Sequence, residues 1–297
     1  MRRARPLLGT FVEIRSAGPT RVATEPSIEA AFAAIERVHR LMSFHDADSD
    51  VGRLNRGAHD CAVAVDPWTN RVLEAALDLY RRSAGVFDIA VAPALQLLGL
   101  LPGNPEDATG ARAETATSAA IELLPRCHVR FHHPALKIDL GGIAKGFAVD
   151  RAVDVLRGRD QSSGLVNAGG DLAAFGASGE RIDIRDPRHP GRSLCQVAIA
   201  NAALASSARR FDPLQCGDAF SSTTIDPATG APVVEFAGAS VCAPSCIIAD
   251  ALTKIVLISG KKTAALLKTH EASALIVSAA GDVHISPEWQ NVLRAAA

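Results

Sequence analysis

The chain has 297 residues, of which 48% are hydrophobic and 21% charged, so it carries enough apolar material for a sizeable core. A formal net charge of −1 and an aromatic content of 4% argue against nucleic-acid binding, because they provide neither a basic surface nor a platform for base stacking. The six cysteines are scattered without a C-x-x-C spacing, which favours reduced thiols over a disulfide framework.

The start of the chain indicates where the protein acts. Arg2, Arg3 and Arg5 precede a strand predicted from Leu7 to Ser16, and neither a signal-length apolar segment nor a lipidation cysteine follows. No segment is apolar for long enough to span a bilayer, so an integral membrane protein is not expected. As written, the sequence predicts a cytoplasmic protein; a true start further upstream would make it membrane-associated or periplasmic.

Two amphipathic helices are predicted in the first third. Ser27 to Met42 places Ile28, Phe32, Ile35, Val38 and Met42 on one face. Asp66 followed by Pro67 is typical of a helix start, and this helix is expected to run to about Ala84 and end at Gly85.

The remaining elements alternate between hairpins and packed helices. A loop over Gly103 to Ala120, with a helix entering near Glu114, is followed by two strands predicted to pair and by four helices and further strands. The predicted strands are Cys127–Phe131, Leu136–Leu140, Gly164–Ala168, Arg181–Arg185, Cys195–Ala200, Ala274–Ser278 and Asp282–Ile285, and the helices are Ile143–Arg157, Ile247–Ser259, Lys261–His270 and Pro287 onward. The pattern predicts an α+β fold with mixed or antiparallel sheets, and residues 1–297 are expected to form a single domain.

The segment from Lys137 to Asp150 is the most informative. A short apolar run enters two glycines and then a helix, with Asp139 and Lys145 on either side of the turn. Glycines allow the backbone to approach a ligand, and a helix start offers free N–H groups and a positive dipole end, so the segment suits a phosphate or diphosphate. A plain strand–helix connection is the alternative.

Four other polar sites accompany glycines, turns or apolar runs: Asp88, Asn167 with Asp171, Asp226 and Asp250. The Asp226-Pro-x-Thr-Gly sequence is also a favourable turn in its own right. Asp250 lies in an apolar run, where a buried carboxylate needs a partner, so it is either a helix cap or a ligand of a hard cation.

Taken together, these segments resemble the ApbE-type FAD:protein FMN transferases over nearly the whole chain. The matching segments, in order, are Leu8–Glu13, Met42–Phe44 with Ser49 and Leu54-Asn55, Gly85–Asp88 with Pro93 and Leu98-Gly99, Asp139–Gly146, Val166–Asp171, Ile225–Gly230 and Ala249–Leu252. The resemblance implies an ApbE-like, T-fold-like architecture with a ligand cleft between its two halves.

The resemblance also implies an activity. The family cleaves the diphosphate of FAD, moves FMN onto a threonine hydroxyl of an acceptor flavoprotein and releases AMP, with Mg²⁺ assisting. Such phosphoryl transfer needs charge neutralisation and an aligned hydroxyl.

Residue roles follow from the resemblance alone. Lys145 and Asp250 would be catalytic, and the metal ligands would be the Gly142 carbonyl, Asp250 and Thr253. The FAD site would comprise Met42, Val86, Phe87, Asp88, Asp139, Lys145, Ile225 and Asp226.

Three positions depart from the family pattern. Thr223 stands where a histidine is usual, and threonine cannot be a general base near neutral pH. His45 stands where an aromatic tyrosine is expected. Lys254 replaces the usual metal-binding threonine, so Mg²⁺ could bind through Asp250 and Thr253, or the lysine could itself neutralise the diphosphate. FAD pyrophosphatase activity, non-catalytic flavin binding and binding of another nucleotide are the alternatives.

Overall fold

The structure is a computed structural model that describes residues 1–103, 116–211, 220–221 and 223–294. The chain divides into two compact units assembled from separated segments. Unit 1 comprises Met1–Arg37, Lys145–Arg209 and Val234–Ala297, and unit 2 comprises Val38–Ala144 and Arg210–Val233. Both units contain helices and antiparallel strands, so the α+β prediction is confirmed. The single domain and the ligand cleft stay predictions.

Unit 1 is built on an eight-stranded sheet in which every pairing is antiparallel. Its strands, in spatial order, are β1 (Arg2–Leu7), β2 (Thr10–Ala17), β6 (Ser163–Ala168), β7 (Asp171–Phe175), β10 (Ala202–Ala208), β13 (Phe236–Ala243), β14 (Ser273–Ser278) and β15 (Val283–Ile285). Three of the four central strands, β7, β10 and β13, are rich in alanine and small residues, which lets a helix pack closely on them.

Helices and a separate hairpin complete unit 1. Helix α6 (Cys246–Ser259) packs against β7, β10 and β13, and α5 (Ala144–Arg157) crosses it near its start. The β8 (Glu180–Arg185) and β9 (Ser193–Ile199) hairpin shares a hydrophobic core with the sheet and with α8 (Trp289–Arg294), in which Trp289 is fully buried. A 3₁₀ turn at Gly260–Thr263 leads into α7 (Ala264–Thr269).

Unit 2 is smaller and mixed. It contains α2 (Asp50–Gly57), α3 (Pro67–Arg82), α4 (Ala92–Leu97) and a 3₁₀ turn at Ser118–Ala120. Its sheet has the order β3 (Val63–Ala64), β5 (His128–Phe131) and β4 (Ile121–Leu124), and β11 (Arg210–Phe211) pairs with β12 (Phe220–Ser221). Helix α1 (Arg21–Met42) contributes residues to both units.

Several local predictions are confirmed. The predicted apolar face of α1 is buried throughout, from Ile28 to Met42. Asp66 caps α3 by accepting the Trp68 N–H at 2.9 Å, as its position before Pro67 predicted. The helices from Ala144 and Cys246, the β8–β9 strands and the β14–β15 hairpin all form close to the expected bounds.

Two predictions are wrong. The strand predicted from Leu7 to Ser16 is wrong at its start: it begins at Thr10 as β2, because Leu8 and Gly9 adopt positive φ and form the turn of a hairpin with β1. The segment Leu136–Leu140 forms no strand. Instead the Asn55 side chain accepts the Ile138 N–H at 2.8 Å and donates to the Ile138 carbonyl at 2.9 Å, so it takes the hydrogen bonds that a strand would have made. Strand β5 pairs with β3 and β4.

The loop predicted from Gly103 and the predicted lack of a membrane span concern longer stretches of the chain. The loop predicted from Gly103, with its helix near Glu114, lies mostly outside the described residues, which resume at 116. Across the residues that the structure does describe, none of the helices has both the length and the apolar character needed to cross a bilayer.

Candidate functional site

The starts of α5 and α6 cap each other. Asp150 on α5 accepts the N–H groups of Cys246 at 2.8 Å and Ile247 at 2.9 Å, while Asp250 on α6 accepts the Gly146 N–H at 3.0 Å. The first N–H groups of a helix have no partner within it, so each carboxylate satisfies donors of the neighbouring helix. The prediction that Asp250 is either a cap or a cation ligand is thus answered in part: it caps a helix other than its own.

Gly146 makes this arrangement possible. A Cβ at this position would lie 2.2 Å from the Cys246 carbonyl oxygen and 2.8 Å from the Asp250 Cβ, so only glycine lets the helices approach this closely. The glycine of the Lys145-Gly146 pair therefore serves helix packing and the placement of the Asp250 carboxylate.

Two lysines pair with two buried carboxylates beside this crossing. Lys145 Nζ forms an ion pair with Asp171 Oδ2, and Lys254 Nζ forms one with Asp250 Oδ1 while also donating to the Asp250 carbonyl at 3.1 Å. The carboxylates of Asp171 and Asp250 are 0% exposed, whereas the side chains of Lys145 and Lys254 are 34% and 18% exposed. We call Lys145, Asp171, Asp250 and Lys254 the charge cluster; its carboxylates are fully buried and its lysine side chains are partly exposed.

The electrostatics of the charge cluster follow from this layering. Burial disfavours the Lys145 ammonium, but the carboxylates of Asp250 and Asp171 outweigh it and raise the lysine's pKa. Burial acts against the Asp250 carboxylate as well, and the ammonium groups of Lys254 and Lys145 nevertheless hold its pKa below the ordinary value. The pKa of Asp171 is raised by burial and by the neighbouring Asp250 charge. Lys145 and Asp250 are therefore ionised at neutral pH.

The turn between β6 and β7 places Asp171. Gly169 and Gly170 both have positive φ and form the two-residue loop of the hairpin, and Asn167 Oδ1 accepts the Gly170 N–H at 2.9 Å. Asp171 follows directly as the first residue of β7. The Asn167–Asp171 segment, identified from its glycines, therefore supplies a carboxylate partner for Lys145.

A cavity of about 680 Å³ lies within unit 1 near the charge cluster. Its lining includes Asn167, Gly170 and Ser207. The Ser207 hydroxyl is hydrogen-bonded at 2.8 Å to Thr253, whose own hydroxyl donates to the Asp250 carbonyl at 2.7 Å. Cavities of roughly 300–1,000 Å³ accommodate organic ligands of substantial size.

Unit 2 brings Asp88 and Asp139 into adjacent segments. The Asp139 N–H donates to the Ile89 carbonyl at 2.9 Å, which places the segment after Val86-Phe87 beside the glycine turn. Asp88 is buried and accepts the Ser118 hydroxyl at 2.5 Å and the Ala90 N–H at 2.7 Å. Burial raises the pKa of Asp88 despite these bonds, which organise the loop around it.

Asp139 is less enclosed by hydrogen bonds. Asp139 Oδ2 accepts one described hydrogen bond, from the Gly141 N–H at 3.0 Å. Burial raises the pKa of Asp139, while the Gly141 N–H and the nearby His45 lower it. His45, one of the three departures from the family pattern, is thus an electrostatic neighbour of a predicted flavin-site residue.

The other predicted flavin-site residues also lie in unit 2. Met42, Phe87 and Ile225 are buried, Val86 is half-buried, and Ile225 makes a β-bridge with Pro232. Asp226 accepts the Ala228 N–H at 3.0 Å, so it forms the turn that its sequence favoured. Their contact with flavin stays a prediction.

The residues predicted to hold Mg²⁺ do not fit a divalent cation. Asp250 Oδ1 is paired with Lys254 and Oδ2 with the Gly146 N–H, and the Thr253 hydroxyl donates its proton to a carbonyl. Mg²⁺ takes six oxygen ligands, several of them usually water, and needs carboxylate charge that is not already paired with an ammonium group. In the part of the chain that the structure describes, no group of three or more His, Cys, Asp or Glu residues is placed to hold a metal ion. Gly142, the third predicted ligand, lies in the turn before α5.

Sequence reasoning missed the role of Asp150, which it saw only as the end of a motif. Asp171 and Lys254 were singled out, but neither was placed in the predicted binding set, and the pairing of Lys145 with Asp171 was not predicted. The i,i+4 spacing of Asp250 and Lys254 on a helix was a usable signal for their ion pair. Asp150 caps a helix 96 residues away, and no local pattern announces such a contact.

Comparison with known proteins decides the family. The model of the ApbE family matches residues 8–284. The chain belongs to the ApbE family. The resemblance inferred from ordered motifs is thereby confirmed.

Individual ApbE relatives match over most of their length. The FAD:protein FMN transferase of Treponema pallidum is 26% identical over 299 residues, covering 90% of this chain and 81% of the relative. That of Vibrio cholerae is 26% identical over 269 residues, covering 86% and 80%. The crystal structure of the ApbE protein of Thermotoga maritima has a TM-score of 0.87 at 26% identity and covers 99% of both chains, which confirms the ApbE-like architecture.

Proposed function

We propose that this ApbE-family protein is an FAD:protein FMN transferase that moves the FMN moiety of FAD to a threonine hydroxyl of an acceptor flavoprotein and releases AMP. The observation that supports it best is the charge cluster at the crossing of α5 and α6. Two lysines with partly exposed side chains are held there by ion pairs to two fully buried carboxylates. The names of the relatives agree with this assignment.

The reaction follows from the chemistry of a diphosphate. The acceptor hydroxyl oxygen attacks the phosphorus on the FMN side, a new P–O bond forms to threonine, and the P–O bond to AMP breaks. The hydroxyl proton is lost to a base and the negative charge of the cleaved bond remains on AMP. Fixed ammonium groups stabilise the charge that develops on the phosphate oxygens.

The predicted catalytic and flavin-site residues each have a place in this proposal. Lys145 and Lys254 contact the diphosphate, and Asp171 and Asp250 orient them. Asp139, with Met42, Val86, Phe87, Asp88, Ile225 and Asp226, contacts the rest of FAD. Thr223 is exposed and supplies no base.

Transfer is measured by incubating the full chain with FAD and a threonine-bearing acceptor flavoprotein. A mass increase of one FMN moiety on the acceptor threonine, with one AMP released per transfer, supports the proposal. AMP release that is equal with and without acceptor supports FAD pyrophosphatase activity instead. FAD binding without AMP release supports a non-catalytic flavin-binding protein.

Lys145 is the residue to change first. Lys145→Ala should slow AMP release by about 100-fold or more, the typical loss when one charge-stabilising donor is removed from a transition state. Lys262→Ala is the matched control, because Lys262 is an exposed lysine outside the charge cluster. An unchanged rate in Lys145→Ala would remove Lys145 from the mechanism.

A further inference from the structure

The charge cluster has the layering of an anion site. Its two carboxylates are fully buried, and the exposed parts of the cluster belong to the two lysine side chains. Each ammonium carries three N–H donors, and the described hydrogen bonds of Lys145 use one of them, to Asp171. Donors of the cluster are therefore available to an incoming ligand, whereas its carboxylate oxygens are enclosed.

Both oxygens of the Asp250 carboxylate already have a hydrogen-bond partner. Lys254 Nζ bonds Oδ1 and also bonds the Asp250 carbonyl at 3.1 Å, so it spans both the side chain and the main chain of that residue. The Gly146 N–H occupies Oδ2 at 3.0 Å. A divalent ion on Asp250 would have to compete with the Lys254 ammonium for that carboxylate and would be repelled by it.

The charge balance leads to the same conclusion. Each of the two carboxylates is paired with one ammonium group, so neither is left as an unpaired negative charge that would attract a cation. One further oxygen, Asp171 Oδ1, is buried without a hydrogen-bond partner among the described residues. A single enclosed oxygen does not make the oxygen set that Mg²⁺ needs.

From this geometry we infer that the charge cluster binds the diphosphate without a divalent cation on Asp250, and that the Lys254 ammonium takes the place of that cation. Lys254 is fixed by Asp250 and faces the ligand, and Lys145, fixed by Asp171, contacts the same diphosphate. The inference rests on the proposed function for the identity of the ligand, but its binding test requires no transfer.

Manganese binding tests the cation half of the inference. Mn²⁺ replaces Mg²⁺ at oxygen sites and is followed by the electron paramagnetic resonance signal of the free ion. The full chain should leave added Mn²⁺ free, while Lys254→Thr should bind it at least about tenfold more tightly, because the competing ammonium is gone and Asp250 Oδ1 is released. Stoichiometric binding of Mn²⁺ by the unaltered chain, lost in Asp250→Asn, would overturn the inference.

Pyrophosphate binding tests the anion half. Isothermal titration of inorganic pyrophosphate in EDTA should show binding to the unaltered chain and to the control Lys262→Met. Lys254→Met should bind about tenfold or more weakly, the equivalent of one charge-assisted hydrogen bond. Binding that disappears in EDTA and returns with Mg²⁺, or that is equal in Lys254→Met, would overturn the inference.

The design separates folding and function from the inference. If Lys254→Met does not fold, the charge-balanced double variant Asp250→Asn/Lys254→Met takes its place, and pyrophosphate affinity equal to that of the unaltered chain would again overturn the inference. Lysine-dependent, EDTA-resistant pyrophosphate binding without FMN transfer would support the inference and contradict the proposed function.

Discussion

Gly146→Ala tests the crossing of α5 and α6 on which the charge cluster depends. The added Cβ would lie 2.2 Å from the Cys246 carbonyl oxygen and 2.6 Å from its carbon, and both are backbone atoms that cannot rotate away. The helices must therefore separate, which also breaks the 3.0 Å hydrogen bond from Gly146 N–H to Asp250.

The size of the effect follows from these two losses. Overpacking costs about 1–3 kcal/mol, and a hydrogen bond to a charged group contributes about 1.5–3 kcal/mol, so the free energy of unfolding should fall by about 3–5 kcal/mol. For a chain of this size that corresponds to a drop in Tm of roughly 6–10 °C.

Thermal melts followed by circular dichroism measure the change. Gly57→Ala is the matched control: Gly57 is also helical, and its Cβ would meet only Val63 Cγ2, at 4.0 Å, so its Tm should stay the same or rise slightly. A Gly146→Ala protein with the same Tm as the unaltered chain would refute the close approach of α5 and α6 at this residue.

Three more predictions concern Asp150, Asn55 and the cysteines. Burial raises the pKa of Asp150 to about 6, so its protonated form is favoured by folding; stability from this group is fully present below the unfolded pKa of about 4 and is lost as pH rises through about 6, by about 3 kcal/mol in all. Asp150→Asn should abolish that part of the pH dependence in urea melts. Asn55→Ala should lower the free energy of unfolding by about 2–4 kcal/mol, because the buried Ile138 N–H and carbonyl lose their partners. Cys61 is exposed, whereas burial raises the pKa of the Cys246 thiol well above its usual value, so iodoacetamide should label Cys61 and leave Cys246 unmodified in the native protein.

Each of these has a result that would contradict it. An unaltered slope of stability against pH in Asp150→Asn would show that the carboxylate is not the titrating group. If the Asn55→Ala protein is as stable as its parent, water must form the hydrogen bonds of the Ile138 N–H and carbonyl groups. Labelling of Cys246 as fast as Cys61 would show that the start of α6 opens readily.

Local sequence signals predicted most elements correctly because their causes are local. The buried face of α1 follows from spacing along one helix, and the Asp66–Pro67 start of α3 follows from capping chemistry. The strand expected at Leu136–Leu140 did not form because a side chain 83 residues away takes its backbone bonds. Nothing in the pattern around Ile138 indicates that Asn55 will lie there.

In the candidate site too, local sequence predicts some features, and contacts between distant residues determine the others. Lys145, Asp250 and the glycine turns were identified from type and position, and the structure brings Lys145 and Asp250 into one cluster with Asp171 and Lys254. The pair of Asp250 and Lys254 follows from their i,i+4 spacing on α6, whereas the pair of Lys145 and Asp171 joins a helix to a strand 26 residues further along and has no local signal. The sequence left open whether a metal or a lysine neutralises the diphosphate; the pairing of both Asp250 oxygens favours the lysine.

A crystal structure of the full chain with FAD, grown with Mg²⁺ present, addresses the central claim most directly. The account predicts diphosphate oxygens within hydrogen-bonding distance of the Nζ atoms of both Lys145 and Lys254, with Asp250 still paired to Lys254. A magnesium ion coordinated by Asp250, with Lys254 turned away, or a diphosphate bound apart from both lysines, would contradict it.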